Sequence, residues 1–299
     1  MIITRTVLST LYTGFSTAFQ SGFSGVTPQY NRVAQVVPST TRVNEYGWMA
    51  DLPGIREWLG DRLVKNLETN SYQLRNKSFE STVGVKREDI EDDNLGMFGT
   101  IVTEMGRLSA VFPDEQVWPL LTNGWAGKCY DGKPFFSEDH PVLDKNGKKT
   151  TASNDLGGNG TPWFLLDTTR AVKPLIWQTR KAFNLVRMDA ETDEHVFTAG
   201  QFRYGVDGRA VAGYGFWQLA TGSKQELTPE TYAEARALML DRRGDNGRPL
   251  GLQPNLLVVP SSLEGVARKI LLAENDAAGS TNVWKGTAEP FTTPWLAAA

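Results

Sequence analysis

The sequence predicts an α+β chain, and a few patterns carry that prediction. Met97, Ile101, Met105, Leu108 and Phe112 recur every three or four positions, the spacing of one long amphipathic helix. Between residues 163 and 220 short apolar runs follow one another without a long helical stretch, which favours an antiparallel arrangement. After residue 228 helical and strand patterns alternate, as in a compact domain of its own.

In chain order, Ile3, Val7, Leu11, Phe15 and Phe19 lay an apolar stripe along an N-terminal helix. That helix either packs on its own domain or docks on another copy as an arm, because Gly22, Gly25 and Pro28 follow at once. Val33, Val36 and Val37 suggest a short strand, and Trp48 and Trp58 flank a turn at Asp51-Leu52-Pro53-Gly54. Tyr72 and Leu74 share one face of a strand, and Phe79, Val83 and Val85 share one face of the next. The polar break at Asn76-Lys77 makes the pair a hairpin. A lone hairpin is marginal in water, so it needs the rest of the chain or another copy to lie on.

Asp89, Glu91, Asp92, Asp93 and Asn94 match no calcium loop and read as the start of the long helix, where carboxylates favour the positive end of the dipole. That helix is expected to end near Phe112-Pro113, with a further helical turn from Val117 to Leu121. Asp144 to Pro162 reads as an exposed loop. Strands are expected at Trp163–Leu166, Leu175–Trp177, Val196–Phe197, Phe202–Val206 and Tyr214–Ala220. Thr228 caps a helix with Pro229 at its first position, ending before Gly244. Leu256–Val259 is a buried-type strand stopped by Pro260, and Ser261–Glu264 opens a helix through Val266, Ile270 and Leu271.

Composition limits the function. The 299 residues are 40% hydrophobic and 22% charged, ordinary for a globular chain with a substantial core and two or three lobes. Lys plus Arg number 31 against 34 Asp plus Glu, a net charge of −3 that argues against sequence-specific DNA binding. A single Cys excludes an intrachain disulfide and fits a reducing compartment. No run approaches the ~18–20 apolar residues of a membrane span, so the chain is expected to be soluble and cytoplasmic when made.

The few reactive groups define the candidate chemical sites. Cys129 with His140 or His195, oriented by Asp131 or Asp139, has the residue types of a thiol hydrolase. It lacks a nucleophile elbow or a recognised signature around the Cys, so a structural Cys is favoured. Asp189, Glu191, Asp193, Glu194 and His195 read as a solvated acidic turn rather than a metal site. The Gly157-Gly158-Asn159-Gly160 run does not open a helix bearing Lys and Ser or Thr, so it is no phosphate loop. The dispersed Trp residues, which a glycan-binding module would use, sit mostly inside apolar strand patterns. No catalytic residue, cofactor or metal is assigned.

Several long stretches carry a resemblance. Cys129–Pro141 (CYDGKPFFSEDHP), Trp163–Gln178, Tyr204–Arg209 with Gly213–Ala220, Gly247–Gly251 with Leu256–Pro260, and Asn282–Glu289 with Pro294–Leu296 lie in collinear order. In these the chain resembles the major head subunits of Mu-like bacteriophages. The resemblance implies the tailed-phage capsid fold named for phage Hong Kong 97. Residues 1–45 would be an N-terminal arm, 46–90 an extended loop, 91–224 a peripheral domain with a spine helix at about 95–122, and 225–299 an axial domain. It further implies a non-enzymatic major capsid protein forming pentamers and hexamers of an icosahedral head around double-stranded DNA. Its partners would be further copies of itself, a separate scaffold protein, a portal and a decoration protein. The protein would reside in the virion after assembly in the host cytoplasm. Tyr72, Leu74, Phe79, Val83, Leu11 and Phe15 are the expected contacts between copies. In some relatives of the fold a loop Lys bonds covalently to an Asn of another subunit, but Lys77 is assigned no such role.

Overall fold

The computed structural model describes residues 3–46, 72–92, 96–244, 247–276 and 278–296. The expected turn at 51–54 with its flanking Trp48 and Trp58, and the end of the acidic run at Asp93 and Asn94, lie outside the described residues.

Helix α1 (Arg5–Ser24) is capped by Thr4, whose side chain accepts the Val7 N–H at 3.3 Å. Its buried residues are Leu8, Phe15, Phe19 and Gly22 rather than the whole predicted stripe. Steps of four residues advance about 40° beyond a full turn, so the stripe drifts off the core. Leu8, eleven positions before Phe19, closes about three turns and takes the place of Val7. The helix packs on its own chain through these residues, as the first of the two placements expects.

After β1 (Ala34–Pro38) come β2 (Val43–Glu45), β3 (Gln73–Arg75), β4 (Lys77–Lys86) and the short helix α2 (Arg87–Glu91). The expected hairpin across Asn76-Lys77 is not formed: β3 pairs with β2, and β4 pairs elsewhere. Asn76 is buried, and its amide donates to Ser39 Oγ at 2.9 Å and to the Thr41 carbonyl at 3.0 Å. A polar residue read as a turn is thus an anchor on which the chain passes from one sheet to another.

Helix α3 (Gly96–Val117) runs through Pro113 and is followed by α4 (Pro119–Thr122), so the expected stop at Phe112-Pro113 is corrected. Burial of Val117 and Trp118 and the bonds made by Asp114 offset the backbone bond that Pro113 cannot donate. The buried face also differs from the predicted one. Phe98, Val102, Met105, Gly106, Ser109 and Ala110 face inward, whereas Met97, Ile101 and Leu108 are exposed. The inner face is set by small residues. A Cβ on Gly106 would collide with the Phe19 carbonyl of α1, and one on Gly22 with the Thr103 carbonyl of α3. The two helices approach through these glycines, as only backbone without side chains allows.

The chain then forms β5 (His140–Leu143), β6 (Lys149–Ala152), β7 (Asp155–Gly158), β8 (Trp163–Leu166), β9 (Leu175–Met188), α5 (Glu194–Ala199), β10 (Gln201–Tyr214) and β11 (Ala220–Lys224). After these come α6 (Pro229–Leu240), β12 (Leu256–Val259), α7 (Glu264–Leu272) and β13 (Glu289–Thr292). Three expectations change here. The loop at 144–162 contains β6 and β7, the strand at Val196–Phe197 is helix α5, and Tyr214–Ala220 breaks into a 3₁₀ turn at Trp217–Leu219 between β10 and β11. Gly200, at φ 60°, ends α5 in a left-handed cap that a strand would not need.

One sheet has the order β1-β9-β10-β4, and the other the order β13-β12-β8-β11-β7. Both are mixed rather than antiparallel, with parallel pairs at β1–β9, β11–β7 and β12–β13. The second sheet draws β7, β8 and β11 from before residue 225, so a boundary at 225 cuts through it. Long-range pairing joined what local patterns separated. Three apolar clusters follow: one between the sheets around Trp118, Phe135 and Trp217, one around α6 and α7, and one beneath α1 and α3.

Candidate functional site

The Cys129–Pro141 segment is a buttress of the core. Cys129 is buried, its thiol donates to the Gly215 carbonyl at 3.5 Å, and burial pushes it far above the ordinary thiol range. A thiol that stays protonated is no nucleophile. His140 is fully buried and stacks flat on Trp217, with ring centroids 3.9 Å apart. Its Nδ1 lies 2.5 Å from Asp131 Oδ2 and its Nε2 lies 3.2 Å from Asn154 Oδ1. Asn154 holds the loop before β5, donating to the Phe135 carbonyl at 2.7 Å and accepting the Ser137 N–H at 2.9 Å. Among the described residues no hydrogen bond joins Cys129 to a histidine. Asp131 also accepts the Lys133 N–H at 3.0 Å, while Asp139 pairs with Lys133 and Ser137. His195 lies on α5, between β9 and β10. The residue types of a hydrolase are present, but Cys129 is buried on a carbonyl and His140 is held by Asp131, Asn154 and Trp217.

The acidic turn is likewise occupied. Asp189 accepts from Tyr204 Oη at 3.3 Å, Asp193 Oδ2 accepts the Ala190 N–H at 2.9 Å, and Glu191 lies 3.4 Å from Arg87. Of the Trp residues described, Trp118, Trp163, Trp177 and Trp217 are buried, so they line no groove.

Three buried charged groups, Asp114, Asp167 and Arg242, escaped the sequence reading, and Asp114 and Arg242 anchor distant segments. Asp114 on α3 accepts the Gln29 N–H at 3.0 Å and Trp118 Nε1 at 3.1 Å, tying the chain after α1 to the long helix. Burial raises its carboxyl above the usual range, against the lowering by those donors. Arg242, 4% exposed beyond the end of α6, donates to the carbonyls of Gln218 (2.6 Å), Ala220 (3.0 Å) and Ser153 (3.3 Å) and to Thr221 Oγ1 (2.9 Å). Burial lowers it to about 9, which leaves it charged at neutral pH. Its place past a helix C-terminus favours that charge. The only sequence signal was position: an Asp four residues before a Trp, and an Arg closing a helix.

The six expected contact residues all have partners within the chain. Leu74, 8% exposed, lies in the cluster around α6 and α7, and Phe15, 4% exposed, meets Tyr204 edge-on at 4.9 Å. These two are corrected to core residues, because the helix and strand that carry them pack on their own subunit. Tyr72 Oη accepts the Tyr214 N–H at 2.9 Å, and Phe79 packs on Phe112 at 4.6 Å. Leu11 and Val83 are half-buried against the cluster beneath α1. The buried amide of Gln178 on β9 holds the segment leading to β4, donating to Asn76 Oδ1 at 2.8 Å and accepting from Tyr46 Oη at 2.6 Å.

What remains is a rigid subunit whose reactive groups are structural and whose long helix exposes apolar side chains. Comparison with known proteins agrees with that reading. Residues 8–296 match the family described as Mu-like prophage major head subunit gpT. The chain is 43% identical over 289 residues to the major capsid protein of Escherichia phage Mu, covering 95% of each. It is similar to a chain in the procapsid of bacteriophage JBD30, with a TM-score of 0.87, 44% identity and coverage of 98% of this chain and 100% of that one. It also resembles a chain in the JBD30 capsid decorated with minor capsid protein trimers, with a TM-score of 0.76, 33% identity and coverage of 92% and 93%. The fold is that of tailed-phage capsid subunits, and the chain belongs to the Mu-like major head subunit family of structural, non-enzymatic capsid proteins.

Proposed function

We propose that this chain assembles in the host cytoplasm into pentamers and hexamers that close into an icosahedral head around double-stranded DNA. A separate scaffold protein would guide closure, a portal would admit the DNA, and a further protein would decorate the shell. The observation that carries the reading is the row of apolar side chains on the outer face of α3. Met97 is 64% exposed, and Ile101 and Leu108 follow on the same helix. Large apolar side chains left exposed on one helix face, here on either side of the Glu104–Arg107 ion pair, favour contact with another protein. Weak contacts of this kind add through multivalency into a shell, and closed symmetry ends its growth. The formal charge of −3 supports an inner wall that does not hold packaged DNA fast.

In this reading residues 1–45 form the N-terminal arm, 46–90 the extended loop, and the helices from Gly96 to Thr122 the spine. Strands β9 and β10 with α3 form the peripheral part, to which α1 and β1 of the arm and β4 of the extended loop attach. The sheet β13-β12-β8-β11-β7 with α6 and α7 forms the axial part. Half-buried Leu11, Tyr72, Phe79 and Val83 complete their burial against neighbouring copies, supported from within by Phe15 and Leu74. The test is Ile101→Glu with Leu108→Glu. The double variant is expected to keep its circular dichroism and melting profile while particles are lost from sedimentation gradients. Particles formed at the normal yield would contradict the reading.

A further inference from the structure

Two surfaces of the described chain are complementary to each other and far apart in the fold. The first is the tip where α2 and α5 meet, joined by the Arg87 N–H bond to the Gly200 carbonyl at 2.8 Å. Glu88, Glu91, Asp92, Glu191 and Glu194 are all exposed there. From this acidic tip projects Phe197, 88% exposed and one helical turn from Glu194. Met188, at the end of β9, is 50% exposed beside the same turn. A Phe so exposed is unusual for a residue that gains about 1.5–3 kcal/mol by burial.

The second surface is a cleft of about 660 Å³ between the β5–β6 hairpin and the end of α6. Val142, Leu143, Ala152 and Leu238 give it an apolar lining, and Lys145 and Arg243 stand at it. Lys148 and Lys149 extend the positive charge along the exposed hairpin. Two carboxylates also line this cleft. Asp144 is folded into its own turn, accepting the Asn146 N–H at 2.8 Å and the Lys148 N–H at 2.9 Å, and Asp241 is exposed at the end of α6. Lys145, Lys148, Lys149 and Arg243 therefore outnumber them around the cleft. The buried guanidinium of Arg242 lies behind it, held by neutral acceptors alone among the described residues.

We propose that the cleft receives Phe197 and the acidic tip of a second copy of this chain. An aromatic knob ringed by carboxylates fits an apolar floor rimmed by lysine and arginine, and each part explains the other. Like-charged tips repel one another, so a tip-to-tip contact is disfavoured. Because the two surfaces differ, the contact is heterologous: repeated from copy to copy it makes a ring or continues across a shell. The inference rests on the shell-forming reading of the previous subsection.

The test uses the full chain in assembled particles. Copies carrying Thr198→Cys, exposed beside Phe197, are assembled with copies carrying Asn146→Cys, exposed beside Lys145, and treated with a short bis-maleimide. The native Cys129 is buried and does not compete. A cross-linked dimer that appears only when both variants are present is the expected result. Its absence from particles that form normally overturns the docking and leaves shell formation standing. If the unmodified chain forms no particles under any condition, both readings fall. A second arm reverses charge: Glu191→Lys with Glu194→Lys is expected to lower particle yield about tenfold, as loss of an anchored contact does. Adding Lys145→Glu and Lys148→Glu restores it. A folded quadruple variant with no recovery overturns the proposed pairing.

Discussion

Asp114 shows how a single side chain orders a segment. Its carboxylate takes N–H groups that would otherwise be buried without acceptors, so Asp114→Ala is expected to cost about 1–3 kcal/mol in a denaturant titration. Burial raises this carboxyl in the fold. The native state therefore holds the proton more tightly than the unfolded chain, and this group's contribution rises as pH falls towards the ordinary carboxylate range. Asp114→Asn is expected to remove that component; an unchanged pH slope would contradict the assignment. Arg242 makes the converse case. Arg242→Met leaves its carbonyl acceptors without donors, and a loss of roughly 3 kcal/mol is expected in the same titration. Lysine recovers only part of it, because an ammonium does not span the acceptors as a guanidinium does. Neither role was legible in the sequence, since a buried ion pair or anchor depends on which distant backbone groups arrive beside it. Cys129 was legible as structural for the opposite reason: the local features that activate a thiol were missing.

Among the elements, the crossing of α1 and α3 was half visible. Both helices were predicted from spacing, but which face of α3 turns inward was not. Met97, Ile101 and Leu108 form a periodic apolar row that equals the inner row in the sequence. The choice is made by Gly106 and Gly22, which let the backbones meet. Gly106→Val is expected to cost about 1–3 kcal/mol by forcing the helices apart, seen as a lower melting temperature. A variant as stable as the parent would mean that the crossing is loose. The missed hairpin has the same origin. Alternation identified β3 and β4 as strands, yet their partners β2 and β10 come from distant sequence, and no local pattern states a partner.

For the whole molecule, the α+β class and most helices and strands were readable, while the division into parts was not. The sheet around β8 gathers strands from both sides of residue 225, because antiparallel and parallel neighbours are chosen by burial of Trp163–Leu166 on both faces. The capsid role was readable from the long collinear motifs. The structure adds where such a subunit offers apolar surface. The most direct measurement is electron microscopy of the purified chain, expressed with and without its candidate scaffold protein. Rings of five and six copies or closed shells are predicted. A uniform small particle under both conditions, at every concentration, would contradict the account.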